Sequence, residues 1–168
     1  VDLLYFEQGG FAENILLTGY TVDTVCIGDI FQLQRANGGK GDKTKFVVTC
    51  PRRPCTKVDT RHGKLLNKQQ YTKKGVRHHT AVTALAGFFI RPLLDSVGDS
   101  DNEIGSGDKF VRVSSPHPQW TIRYVAEMVY GCHDKEYNIT WTHSEEKLEE
   151  FVNLSNLAAL EWKTVGLE

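Results

Sequence analysis

Apolar and polar positions change their period along this chain near Ser115. Upstream, apolar residues recur mostly at every second position. GDIFQLQ (28–34) sets Phe31 and Leu33 on one face, KFVVTC (45–50) alternates Phe46, Val48 and Cys50, and KFVRV (109–113) alternates Val111 and Val113 around Arg112. Successive side chains of a strand point to opposite sides, so each run predicts a strand with an apolar face. Asn37-Gly38-Gly39 and Gly41-Asp42 mark the turn between the first two, and a Gly/Asp/Ser/Asn-rich stretch at 98–108 precedes the third. GFFI (87–90) is a short continuous apolar run and reads as a buried strand that stops at Arg91-Pro92, where proline removes a ladder donor. Two readings stay open over 60–84, with KLLNKQQY as a helical turn and TAVTALA as either a short helix or a strand.

After Pro116 and Pro118 the period becomes 3.6. Ile122, Val125, Ala126 and Val129 form one stripe, with Gly131 as a stop. A second helix is expected from Thr142, where Thr-His-Ser-Glu fits a capping box closed by Glu145, with Leu148, Phe151 and Val152 as its apolar face. A third runs through Leu157 to Trp162. Helices this short bury little alone and must pack on each other and on a partner surface. The fold class is therefore mainly β with α: several short strands in a β-barrel or curled sheet over 1–115, then a small three-helix unit over 116–168.

Composition narrows the function classes. The chain has 168 residues, 40% of them apolar, enough for one core and a small appendage. No stretch approaches the ~20 apolar residues of a membrane span, and the opening lacks a secretory pattern, so a cytoplasmic protein that avoids membranes is expected. The first residue is Val1, and VDLLYFEQGG runs straight into sheet-like sequence, which reads as a processed or truncated form. Cys26, Cys50, Cys55 and Cys132 show no CxxC spacing and suggest a reducing compartment, with Cys26 and Cys50 as core residues and Cys132 beyond a helix end. Net charge is −1, yet residues 40–79 hold twelve Lys/Arg against two Asp/Glu, leaving eight against nineteen elsewhere. That basic segment suits an anion. Nucleic acid is not the expected one, because only Phe46 and Tyr71 offer stacking surfaces within it.

The stretch richest in chemistry is Cys50-Pro51-Arg52-Arg53-Pro54-Cys55-Thr56-Lys57. It leaves a strand, two prolines stiffen it, and it offers two guanidinium groups, a thiol and an ammonium. The positive charges favour thiolate, the form that is both nucleophile and soft metal ligand. Arg52, Arg53 and Lys57 also suit phosphate. His78 and His79 on an extended segment would point to opposite faces and share no metal, and His117, between prolines, is read as structural. Ser-His-Asp, Walker, GxGxxG and zinc-finger patterns are absent from the sequence.

These residues resemble a known family. PRRPCTK (51–57) is similar to the proline-arginine-x-proline-cysteine-x-lysine segment of bacterial MOSC (molybdenum cofactor sulfurase C-terminal) proteins of the hydroxylaminopurine-reductase type. FAENI (11–15), VCIGDIF (25–31), GFFIR (87–91) and PHPQWTIRYVAEMVYG (116–131) resemble four further blocks of that family, in its order, the last opening its three-helix C-terminal domain. The family's upstream half has no counterpart before Val1, which makes the expected barrel partial. Ala12 stands where the family prefers glycine and argues against a positive φ there. Leu85-Ala86 replace the usual Arg/Lys-Thr lead-in, and the regions 36–44 and 64–84 are longer than in compact relatives.

The resemblance implies a barrel that binds molybdenum cofactor with Cys55 as metal ligand and catalytic thiolate, Arg52, Arg53 and Lys57 toward the cofactor, and Glu13, Asn14 and Arg91 near the site. Without it, Glu13 and Asn14 read equally as a turn-stabilising pair and Arg91 as a partner for a carbonyl. The implied reaction is reduction of N-hydroxylated substrates such as hydroxylaminopurines, hydroxylamines and amidoximes, a detoxifying chemistry. Its electrons come from a separate flavin or iron–sulfur reductase, since the chain carries neither motif; pyridoxal phosphate is not expected. The competing reading is a non-catalytic carrier of molybdopterin or of persulfide sulfur on Cys55.

Overall fold

The computed structural model describes residues 10–36, 44–62, 75–93, 104–130 and 145–154. In chain order they form β1 (Ile30–Gln34), β2 (Lys45–Pro51), α1 (Lys57–His62), α2 (Val76–Val82), β3 (Phe88–Pro92), β4 (Lys109–Ser114), α3 (Ile122–Tyr130) and α4 (Glu145–Val152). The strands make an antiparallel sheet in the order β3-β2-β1-β4. Turn residues 37–43, KLLNKQQY, Cys132, Thr142 and the expected third helix lie outside the described residues.

Position in the sheet decides how each strand is covered. β1 alternates as its sequence predicts, with Phe31 and Leu33 in the core and Gln32 and Gln34 outside it. β2 lies between β1 and β3 and is buried on both faces from Phe46 to Pro51, so Val47 and Thr49 are as enclosed as Val48 and Cys50. β3 departs from the expectation of a buried strand. It forms an edge of the sheet among the described strands, continues through Arg91 and Pro92, and leaves Phe89 half exposed. Proline is tolerated there because an edge strand has N–H groups that need no ladder partner.

β4 alternates, but its inward face is the opposite one. Phe110 joins the core and packs on Phe46 at 5.4 Å between ring centroids, while Val113 is exposed. Arg112 lies two residues from Phe110 on the same face and reaches the buried Asp29, Nη1 to Oδ2 at 3.1 Å. That ion pair outweighs the preference of two valines for the interior.

A register shift between Val48 and Cys50 marks a bulge in β2 against β3. Thr49 sits at the bulge and its hydroxyl donates to the carbonyl of Phe89 at 3.1 Å, which satisfies a polar group inside the protein. Bulges bend a strand and re-aim the residues beyond them. In β2 those residues are Pro51 and the arginine-cysteine loop.

Helix α3 buries Ile122, Val125, Ala126 and Met128. Trp120, those residues, and Phe151 and Leu154 of and after α4 belong to the same apolar cluster as Val25, Ile27, Phe31 and Val48. The core thus draws on residues from both sides of Ser115. Backbone hydrogen bonds stitch the join: Ile27 N to Trp120 O at 2.9 Å, Ile122 N to Val25 O at 2.9 Å, and Arg123 N to Val22 O at 2.9 Å.

Ala12 has φ 55° and Ala84 φ 57°, against the expectation that alanine at position 12 excludes a positive value. The turn around Ala12 is held by Glu13, whose Oε2 accepts from Phe11 N at 2.9 Å, and by the packing of Phe11 on Val58 and Val76. Those contacts impose a left-handed residue that a Cβ resists. Ala12→Gly should therefore stabilise the protein by about 0.5–1 kcal/mol, the relieved strain less the extra freedom of glycine in the unfolded chain. Urea unfolding checks this, and a lower midpoint would contradict the assignment.

Candidate functional site

Beyond the bulge the chain turns through Arg52-Arg53-Pro54-Cys55 into α1. Two backbone bonds fix this loop at its ends. Arg52 N donates to Gly87 O at 2.8 Å, tying it to the approach of β3, and Val58 N donates to Cys55 O at 3.1 Å, tying it to α1. Pro54 is buried and Cys55 is exposed. Cys26 and Cys50 are both buried, as expected of core residues, so Cys55 is the accessible thiol among the described cysteines. Burial, and then the charge of Asp29, push the Cys26 thiol above its ordinary pKa, which keeps it protonated and inert.

Helix α1 is joined to α2 by a side chain. Asp59 Oδ1 accepts from Arg77 N at 2.8 Å, satisfying a free amide at the start of α2. Gly75 precedes that helix with φ 89°, and a Cβ on it would stand 3.1 Å from Asp59 Oδ1. Glycine is required by both the backbone angle and the close carboxylate. Residues 76–82 are helical because the two ends of the segment are fixed, at Asp59 and at the turn through Ala84, a choice that TAVTALA alone did not make.

A cleft of about 310 Å³ opens between this loop and the helices. Arg53 and Pro54 line it from the loop, Asp59 from α1, Arg77 and His78 from α2, and Tyr130 from the end of α3. Among the described residues, neither Arg53 nor Arg77 has a carboxylate within ion-pair distance. His78 and His79 are on a helix, not on an extended segment. His78 faces the cleft, whereas His79 is partly enclosed and burial, followed by the charge of His78, lowers its pKa.

The sequence-predicted site residues divide into groups. Arg52, Arg53, Cys55 and Lys57 share one loop and the first turn of α1. Phe11 packs against Val58 of α1, which brings the 11–15 block beside that loop. Glu13 closes the local turn through Phe11 N, and Asn14 is exposed. Arg91 stands exposed on the edge strand opposite Val47, with no hydrogen bond or ion pair from its side chain to the loop among the described residues. His117 accepts from Trp120 N through its backbone carbonyl at 3.0 Å and serves the turn into α3. Phe46, one of the two aromatics of the basic segment, is a core residue and offers no stacking surface.

Sequence reasoning missed Asp59, Arg77 and Tyr130. The only sign of them was the basic excess of residues 40–79, which contains Arg77 but does not say what faces it.

Comparison with known proteins adds a family and a fold. The model of the MOSC domain matches residues 3–111. A protein named "Reductase" from Gibberella moniliformis is 27% identical over 124 residues, 74% of this chain and 18% of its own length. An uncharacterised Bacillus subtilis protein, YflK, is 30% identical over 113 residues, 64% of this chain and 42% of its own. The chain thus spans less than half of either curated relative. The crystal structure of YiiM from Geobacillus stearothermophilus superposes with a TM-score of 0.60 at 21% identity, covering 89% of this chain and 60% of that one. A hypothetical protein of known structure gives 0.67 at 16% identity, over 96% of this chain and 59% of its own. At these identities the structures establish a shared mixed β/α fold.

Proposed function

The chain belongs to the MOSC domain family, and from that premise we propose that it holds molybdenum cofactor through Cys55 and serves a reductase of N-hydroxylated compounds. MOSC domains are associated with proteins of molybdenum-cofactor chemistry. The observation that carries the reading is the state of Cys55: exposed, next to a buried proline, on a loop pinned at both ends and flanked by Arg52, Arg53 and Lys57.

The donor set fits the group. A thiolate completes a soft sulfur environment with a dithiolene, and arginine and lysine beside it suit a pterin phosphate. Cys55 would bind the metal, and Arg52, Arg53 and Lys57 the phosphate. The cofactor, when bound, supplies two-electron chemistry, in which N–OH takes two electrons and two protons to give N–H and water. The protein's own part is to fix the thiol and keep the cations in place, which lowers the cost of ordering the site. The electrons come from a separate flavin or iron–sulfur partner, and hydroxylaminopurines, hydroxylamines and amidoximes are the substrate class.

The test is metal and pterin content after expression in a host that makes the cofactor. The unmodified protein is expected to carry molybdenum near one per chain, and Cys55→Ala to lose it by ~tenfold or more. Equal metal in the two would remove Cys55 from the site. Cyanide-releasable sulfur on Cys55 without molybdenum would instead favour a persulfide carrier, which the same exposed thiol could serve.

A further inference from the structure

The cleft one residue from Cys55 carries positive charge, at Arg77 and His78, that the cofactor reading leaves unused. Two guanidinium groups line it from separate elements, Arg53 on the loop and Arg77 on α2, and His78 adds a ring nitrogen. The carboxylate in the same cleft, Asp59, already accepts from the amide of Arg77. Arg53 and Arg77, which have no carboxylate within ion-pair distance among the described residues, are a standing site for an anion, and guanidinium binds phosphate through paired N–H groups.

We infer that the cleft binds a phosphate monoester belonging to the substrate, so that the proposed reductase takes its N-hydroxylated base as a nucleoside monophosphate in preference to the free base. This rests on Cys55 being the ligand of the cofactor. At about 310 Å³ the cleft exceeds what a phosphate group fills, and the ring of Tyr130 with the faces of Pro54 and Ala81 gives the rest of a flat ligand something to lie on. Pro54 precedes Cys55 directly, so a molecule anchored on Pro54 sits one residue along the chain from Cys55. Two observations favour substrate over cofactor. Arg52 on the loop and Lys57 at the start of α1, both outside the lining of the cleft, remain for the cofactor's phosphate. Tyr130, one wall of the cleft, lies beyond the segment that matches the family model, whereas a cofactor held across the family calls on positions within it.

The experiment measures binding of adenosine 5′-monophosphate and of adenosine, neither of which can be reduced at an N–OH, to cofactor-loaded protein by calorimetry. The monophosphate is expected to bind at least ~tenfold more tightly than the nucleoside, as one charge-assisted contact provides. Arg77→Gln should remove that preference, Arg77→Lys should restore part of it, and the molybdenum content of both variants should equal that of the unmodified protein. Equal affinity for the two ligands would overturn the inference, as would a preference indifferent to Arg77→Gln. Monophosphate binding confined to cofactor-free protein would also overturn it, by making the cleft the cofactor's own phosphate site. Protein that lacks molybdenum yet keeps the Arg77-dependent preference would retain the phosphate-monoester site and lose the reductase.

Discussion

Asp29→Ala is expected to destabilise the protein by about 3–5 kcal/mol, the range for breaking one member of a buried, hydrogen-bonded charge pair. Asp29 is fully buried. Its Oδ2 accepts from Cys26 N at 3.0 Å and from Arg112 Nη1 at 3.1 Å, and its Oδ1 accepts from Ser115 Oγ at 2.5 Å. Its backbone lies in the same junction, accepting from Val48 N at 2.9 Å. One carboxylate therefore binds the turn before β1, the end of β4 and the approach to α3. Removing it strands the buried Cys26 amide, gives up the exposed Ser115 hydroxyl to water, and leaves Arg112 with the Thr24 carbonyl at 2.6 Å and the Tyr20 ring at 5.8 Å. The cost is a loss of partners more than a loss of attraction. Arg112→Ala is expected to cost less, because that side chain is 34% exposed and water can replace it. Chemical denaturation of both variants and of the double variant checks the account; if the two single effects add, the carboxylate and guanidinium do not act as a pair.

Trp120→Ala should be comparable, at about 3–5 kcal/mol, through cavity formation and lost transfer energy. Trp120 is the largest fully buried side chain among the described residues. Its ring meets Phe151 at 5.3 Å and Tyr124 at 5.5 Å, and its Nε1 donates to Glu150 at 3.1 Å. Gln119 Nε2 donates to the same carboxylate at 2.9 Å, and these bonds, Gln119 first, hold Glu150 below its ordinary pKa. Because Phe151 and Glu150 are both on α4, the variant should also loosen that helix. Trp120→Phe fills most of the space without the N–H and should cost roughly half as much. Hydrogen exchange of the α4 amides tests the coupling, and protection unchanged in Trp120→Ala would show that α4 is held by something else.

Strands were legible in this sequence because period two is a local property. Which face turns inward was not. In β4 the two faces read Val-Val and Phe-Arg, and hydropathy alone prefers the valines; the deciding partner, Asp29, stands 83 residues earlier. The edge position of β3 was hidden for a similar reason, since GFFI is apolar throughout and only the sheet order shows that one side lacks a neighbour among the described strands. The rigid cysteine loop could be read from its prolines and charges. The cleft could not, because its walls come from residues 53, 59, 77, 78 and 130 and meet only after α2 and α3 have packed. Ala12 shows the converse limit, where a residue's local preference gave way to contacts made by its neighbours.

The junction at Asp29 also sets an order of events during synthesis. At ~5–20 residues per second, the ribosome makes the carboxylate several seconds before Arg112, 83 positions later, and Ser115 after that. β1 likewise waits for β4, its neighbour on one side. Throughout that interval the nascent chain exposes Phe31 and Leu33 on a strand with an open flank and an acid that has not met its counter-ion. Distant pairings of this kind also slow folding, since the closure of a long loop precedes any gain from it. The nascent protein is thus most exposed to aggregation and to chaperone capture between the emergence of β1 and that of β4.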